Sequence, residues 1–163
     1  MTATKVLLTG MSGTGKSTVL EALRGRGWRT VDTDEDGLVD EHPDRTDLRL
    51  PEIRAILQQP RHDRPLVVAA TGDGQAELYP LVDHVVVLVA PWPVLRERLG
   101  VRPGNDFGKE PGELERVRAD QERYEPLLRR GADLVLDTSE LAPDEVVDRV
   151  DALAAAPSTG GER

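Results

Sequence analysis

The stretch Gly10-Met11-Ser12-Gly13-Thr14-Gly15-Lys16-Ser17-Thr18 decides the reading of this chain, because it completes a G-x-x-x-x-G-K-[ST] phosphate-binding pattern. Each position has a physical task. Gly10, Gly13 and Gly15 let the backbone curl its N–H groups inward around an anion. Lys16 has the length to reach the β- and γ-phosphates, and the Ser17 hydroxyl is a hard oxygen ligand for the Mg²⁺ that accompanies them. The flanks agree with this. Lys5-Val6-Leu7-Leu8-Thr9 is a short apolar run with the character of a buried strand. From Ser17 to Arg26, Val19, Leu20 and Leu23 share one helical face, and Gly25 and Gly27 stop it. Strand, loop and helix follow in the order that aims a helix N-terminus at the phosphates.

Four further apolar runs follow: Trp28 to Val31, Pro65 to Ala70, His84 to Val89 and Asp133 to Leu136. The third and fourth of the five runs are near-continuous valine and leucine, as expected of strands covered on both faces. Helical segments alternate with them, which predicts a three-layer α/β/α sandwich around a five-stranded parallel sheet. Ligands of such sheets sit beyond the carboxyl ends of the strands. There the sequence places the phosphate loop, then Asp32-Thr33-Asp34, then Thr71-Gly72-Asp73-Gly74-Gln75. Next come a helix over 91–99 with Arg96 and Arg98, the stretch 101–109 with Arg102, and Asp137-Thr138-Ser139.

The chain has 163 residues and no repeat, so a single domain is expected over 1–155, followed by a flexible tail at 156–163 rich in Ser, Gly and Pro. It has no cysteine, which excludes thiolate metal sites and disulfides. His42, His62 and His84 lack ligand spacing and read as structural. Net charge is −9, from 30 acidic and 21 basic residues, a balance that argues against a nucleic-acid partner but not against a nucleotide in a local pocket. The N-terminus runs directly into the first strand and no apolar stretch reaches membrane-spanning length, so a soluble cytoplasmic protein without a membrane partner is expected. A monomer or a homodimer fits equally well.

Taken in order, these motifs resemble the small P-loop kinases of the shikimate kinase and gluconate kinase type. The phosphate loop looks like theirs, and Val31-Asp32-Thr33-Asp34 resembles the shikimate kinase D-T-D strand end. Thr71-Gly72-x-Gly74 is similar to the family's glycine-rich turn, Val101-Arg102-Pro103 to its lid, and Arg123 to Thr138 to its R-x-P-L-Y helix and last strand. The resemblance implies ATP- and Mg²⁺-dependent phosphorylation of a hydroxyl on a small-molecule acceptor, with an acceptor-binding segment over about 35–64 and a mobile lid over about 101–112. It implies catalytic roles for Lys16, Asp34 and Arg102, with Asp34 orienting or deprotonating the acceptor hydroxyl. Asp32 would stand near Mg²⁺ with Ser17. Gly10 and Ser12 through Thr18, with Arg98, Thr138 and Ser139, would hold the nucleotide. Asp34, Arg49, Arg54, Gly72, Asp73, Gly74 and Arg123 would face the acceptor.

The departures from the pattern point to an acceptor other than shikimate. Asp73 replaces a glycine, Arg49 and Arg54 are the only candidates for the expected acceptor arginine, and Tyr124 falls where the helix arginine is expected. A nucleoside or nucleotide kinase is the nearest alternative, weakened because 35–64 contains no aromatic residue to stack a base. A nucleotide-dependent switch or slow ATPase is the other. It would want an aspartate closing the third strand, where Ala69-Ala70-Thr71 stands.

Overall fold

A computed structural model describes residues 3–43, 45–60, 63–100 and 112–155. Strand β1 (Lys5–Gly10) is buried along its whole length and leads through the phosphate loop into helix α1 (Lys16–Gly25). Then come β2 (Arg29–Asp32), a short hairpin of β3 (Val39–Glu41) and β4 (Thr46–Leu48), and α2 (Leu50–Leu57). Strand β5 (Leu66–Ala69) is followed by a 3₁₀ helix over Gln75–Leu81 and by β6 (His84–Val89). Helices α3 (Trp92–Gly100) and α4 (Glu113–Gly131), strand β7 (Leu134–Asp137) and helix α5 (Pro143–Asp151) complete the order, with a last 3₁₀ turn at Ala152–Ala155.

Five of the strands form one parallel sheet in the order β2-β5-β1-β6-β7. These are the five apolar runs of the sequence, displaced by a residue or so at their ends. The physical reason for their differing legibility is position. β1, β5 and β6 are wholly buried, whereas β2 and β7 form the sheet edges and are only partly covered.

Side chains alternate across β1, so the sheet divides two cores. Val6 and Leu8 pack with Val19, Leu20 and Leu23 of α1, with Trp28, and with Val146, Val147 and Val150 of α5. Leu7 faces the opposite layer, where Ile53 and Leu57 of α2 meet Leu78 and Leu128. Trp28 is a core residue, and its indole N–H donates to Asp151 Oδ1 at 2.7 Å, tying the end of α5 to the chain entering β2.

The hairpin was not visible in the sequence. Its strands are three residues each and carry Asp40, Glu41 and Asp47, poor strand formers. Tertiary contacts hold it: Leu48 is buried, and the Asp73 N–H donates to Thr46 O at 2.9 Å, so the turn after β5 docks on the hairpin. Among the described residues no helix is long and apolar enough to cross a membrane. The lid expected at 101–112, with Arg102, falls outside the described residues except for Gly112, and so does the tail at 156–163.

The packing predicts its own weak points. Leu8→Ala, which empties a fully buried position, is expected to lower the unfolding free energy by about 2–5 kcal/mol in urea titration. Leu127→Ala, at a side chain 54% exposed, is expected to change it by less than about 0.5 kcal/mol.

Candidate active site

The site is built at the carboxyl end of β1. Gly13 and Gly15 take positive φ values of 87° and 107°, and Gly15 caps the N-terminus of α1. Gly10 is required for a different reason: a Cβ there would stand 2.6 Å from Leu88 O and 2.8 Å from Thr14 Oγ1. The loop is braced from within, because the Thr14 hydroxyl donates to Met11 O at 2.8 Å. Lys16 folds over the loop, its ammonium donating to Gly10 O and, at 3.3 Å, to Met11 O.

Neighbouring strand ends supply the rest. Thr33 is buried and donates through its hydroxyl to Ala69 O at 2.8 Å, which pins the turn after β2. Asp32 and Asp34 on either side of it both line the cleft. The Asp34 N–H donates to Asp32 Oδ1 at 3.1 Å, and the Ser17 hydroxyl lies 3.4 Å from Asp32 Oδ2. This hydroxyl–carboxylate pair is a hard oxygen donor set of the kind that holds Mg²⁺ together with water and phosphate oxygens. Thr71, after β5, donates to Gly10 O at 2.9 Å and accepts from the Gly10 N–H at 3.2 Å. Gln75 extends the link, donating to Thr9 Oγ1 at 3.1 Å and to Tyr79 Oη at 2.9 Å while accepting from the Gly72 N–H.

Two cavities meet at this loop. One, of about 380 Å³, is lined by Ser12 through Val19, Arg98, Thr138, Leu141, Pro143 and Val146. Arg98 from α3 closes its side by donating to Gly13 O at 3.0 Å and to Thr138 Oγ1 and O at 2.8 and 2.9 Å. The other cavity, of about 820 Å³, lies toward the hairpin and α4. Lys16, Ser17 and Asp34 border both. Partial enclosure in the cleft pushes the Asp34 carboxyl above the ordinary carboxylate range; Asp32, Glu41 and Glu35 push the same way, and Lys16 opposes them.

The structure therefore gathers Gly10, Ser12 through Thr18, Asp32, Asp34, Gly72, Asp73, Gly74, Arg98 and Thr138 around the two cavities. Ser139 is adjacent but faces Asp137, its hydroxyl 2.5 Å from Oδ1. Three expected acceptor arginines lie elsewhere. Arg49 pairs with Asp40 at 2.8 Å, Arg54 pairs with Glu77 at 2.8 Å, and Arg123 stacks over Tyr124 at 5.2 Å, none of them lining the cleft. In their place Arg45, Arg116, Tyr79 and Tyr124 line it. Segment 35–64 contains no aromatic residue, yet the cleft has two. The 3₁₀ helix and α4 carry the tyrosines in from outside 35–64, and no local signal announces that. The apolar wall of Leu141, Pro143 and Val146 was equally silent.

A family model described as an AAA domain matches residues 6–122. The chain belongs to that family. A nucleotide-binding protein of Erythrobacter litoralis is 30% identical over 160 residues, covering 86% of this chain and 48% of that protein. Another, from Gluconacetobacter diazotrophicus, is 33% identical over 150 residues, covering 86% and 39%. The AAA-domain chain thus spans less than half the length of these curated relatives. Its fold is similar to that of a shikimate kinase from Acinetobacter baumannii in complex with shikimate, with a TM-score of 0.68 at 16% identity over 94% of this chain and 93% of that one. A gluconokinase from Sinorhizobium meliloti gives 0.57 at 20% identity over 93% and 94%. At these identities the likeness is one of fold, and the fold of this AAA domain is that of the small P-loop kinases.

The raised Asp34 has a measurable consequence. Its folded-state pKa lies above that of the unfolded chain, so ionised Asp34 weighs against the fold above the folded-state pKa, and the penalty vanishes below the unfolded-state value. Asp34→Asn is therefore expected to raise the Tm at about pH 7 and to leave it little changed near about pH 3. Thermal melts at the two pH values check this, and a lower Tm at neutral pH would contradict the cause assigned to the shift.

Proposed function

We propose that this protein is an ATP- and Mg²⁺-dependent phosphotransferase that moves the γ-phosphoryl group onto a hydroxyl of a small-molecule acceptor. The observation that carries the reading is the shared wall. Lys16, Ser17 and Asp34 border both a cavity suited to the nucleotide and a larger one suited to an acceptor. A γ-phosphate held by the loop would stand between the two. Phosphoryl transfer asks for in-line positioning and charge neutralisation more than for covalent help. The loop N–H groups and Lys16 bind the phosphates, and Mg²⁺ bound near Ser17 and Asp32 would neutralise charge developing on them. Asp34 aims the acceptor hydroxyl and takes its proton, and the upward shift of its carboxyl makes it a stronger base than an ordinary aspartate. Arg98 borders the nucleotide beside Thr138, and Arg102 is proposed to close over the transferring group.

A nucleoside or nucleotide acceptor is a second reading, favoured by Tyr79 and Tyr124 in the acceptor cleft, where aromatic rings can stack a base. YorR of Bacillus subtilis, solved in complex with phosphorylated GDP, has the same fold with a TM-score of 0.65 at 19% identity over 93% of this chain and 96% of that one.

The test is ATP consumption against a panel of sugar acids, polyols, aminocyclitols and nucleosides. An acceptor is expected to raise turnover above slow hydrolysis, Lys16→Ala to lower it by about 10²-fold or more, and Asp34→Asn by about 10²- to 10⁴-fold. If no acceptor raises turnover, the protein is a nucleotide-dependent switch or slow ATPase instead. If Asp34→Asn transfers normally, the role given to Asp34 is wrong.

A further inference from the structure

One polar wall of the larger cavity has a fixed hydrogen-bond direction, and that direction leaves a single proton for a ligand; its use in catalysis rests on the phosphotransferase reading above. Thr71, Gly72, Gln75 and Tyr79 all line this cavity. Gln75 is only 7% exposed, so its amide has to find partners within the protein. The Gly72 N–H donates to Gln75 Oε1 at 3.2 Å, which fixes the end of the amide that is oxygen. Turned round, the amide would set its NH₂ group against another N–H. The nitrogen end therefore donates both of its protons, one to Thr9 Oγ1 at 3.1 Å and the other to Tyr79 Oη at 2.9 Å.

The remaining bonds are ordered by the same accounting. Thr71 spends its hydroxyl proton on Gly10 O at 2.9 Å, so the 3.0 Å contact between the Thr9 and Thr71 hydroxyls is one that Thr9 donates. Every side-chain proton from Gln75 to the phosphate loop is thereby committed. Tyr79 accepts from this network, and among the described residues its own hydroxyl proton has no acceptor. Accepting the amide bond polarises that O–H and strengthens it as a donor. The ring is held as well as the hydroxyl, because Gly131 lies against it so closely that a Cβ there would run into the Tyr79 ring.

We infer that Tyr79 binds the acceptor by donating its hydroxyl proton to an oxygen lone pair, with Gln75 as the positioning residue that holds the phenol as an acceptor within the wall and leaves it a donor toward the cavity. The ligand this calls for is polyoxygenated. It carries a second oxygen for Tyr79 besides the hydroxyl that receives the phosphoryl group. Tyr79 then sets which hydroxyl of the acceptor is offered for transfer, and it does so without taking part in the chemical step.

Sorbitol, gluconate, streptamine and guanosine all carry such an oxygen, and the one that the unsubstituted protein phosphorylates best serves as the probe. A bond made in the ground state and kept in the transition state affects binding alone. Tyr79→Phe is therefore expected to raise the KM of that acceptor about three- to tenfold while kcat and the KM of ATP stay within about twofold. A merely structural tyrosine would move the KM of ATP too, because the network ends on Gly10 of the phosphate loop. Gln75→Met is expected to raise the acceptor KM as well, and its effect to shrink by about threefold or more in the Tyr79→Phe background. An unchanged acceptor KM in Tyr79→Phe, or acceptor and ATP KM raised alike, would overturn the inference, and additive effects of the two substitutions would overturn the part given to Gln75. If none of the four is phosphorylated, calorimetric titration of each into the ADP complex separates the two claims. Binding weakened about threefold or more by Tyr79→Phe would sustain the donor while the phosphotransferase reading falls. Binding indifferent to Tyr79→Phe, or no binding of any of the four, would overturn the donor itself.

Discussion

The structure depends on the burial of β1 between β5 and β6, because that constraint fixes where the phosphate loop begins. Every residue of the strand is buried and both its edges are hydrogen-bonded, so neither register nor direction is free. Its last residue, Gly10, lies so close to Leu88 O and Thr14 Oγ1 that no side chain fits. The chain must therefore leave the sheet at this point, and its next backbone amides turn over the N-terminus of α1. A rigid strand end beneath a loop of oriented dipoles costs no reorganisation when an anion arrives.

From that fixed point the site spreads sideways through hydrogen bonds rather than through further burial. Thr71 joins the turn after β5 to both backbone atoms of Gly10, and Gln75 carries the connection to Thr9, Gly72 and Tyr79. Thr33 does the same for the turn after β2 by anchoring on Ala69 O. The phosphate loop, the Asp32 and Asp34 pair and the acceptor turn thus share one framework. A shift at the hairpin, which docks on Asp73, is transmitted to residues that touch the loop. Meanwhile partial enclosure in the cleft, with the neighbouring carboxylates adding to it, keeps the ionised form of Asp34 costly, the kind of local penalty that functional sites retain.

The legible parts of the sequence were those governed by short-range rules. The loop, the three central strands and α1 announce themselves by pattern and period, and the Asp32-Thr33-Asp34 turn follows from its place after a strand. What could not be read depended on distance along the chain. The hairpin exists because Leu48 finds a buried seat and Thr46 meets Asp73, which lies beyond both α2 and β5 along the chain, and such contacts leave no trace in β propensity. Arg49 and Arg54 were plausible acceptor ligands by position, but in the folded chain Arg49 is paired with Asp40 and Arg54 with Glu77, and neither arginine lines the cleft. Tyr79 and Tyr124 entered the cleft from elements that the sequence did not associate with it.

By itself, then, the sequence determined the parallel α/β sandwich and the phosphate grip, since strand burial, glycine freedom and helix periodicity act within a few residues of one another. Only the tertiary structure decided the character of the acceptor side. Its charge depends on which carboxylates line the cleft and which arginines are already paired with carboxylates, and side chains choose those partners by proximity after folding. A phosphate loop is a local object, whereas the cleft beside it is assembled from the hairpin, the turn after β5, the 3₁₀ helix and α4. Its acidic, tyrosine-bearing wall exists only where these elements meet.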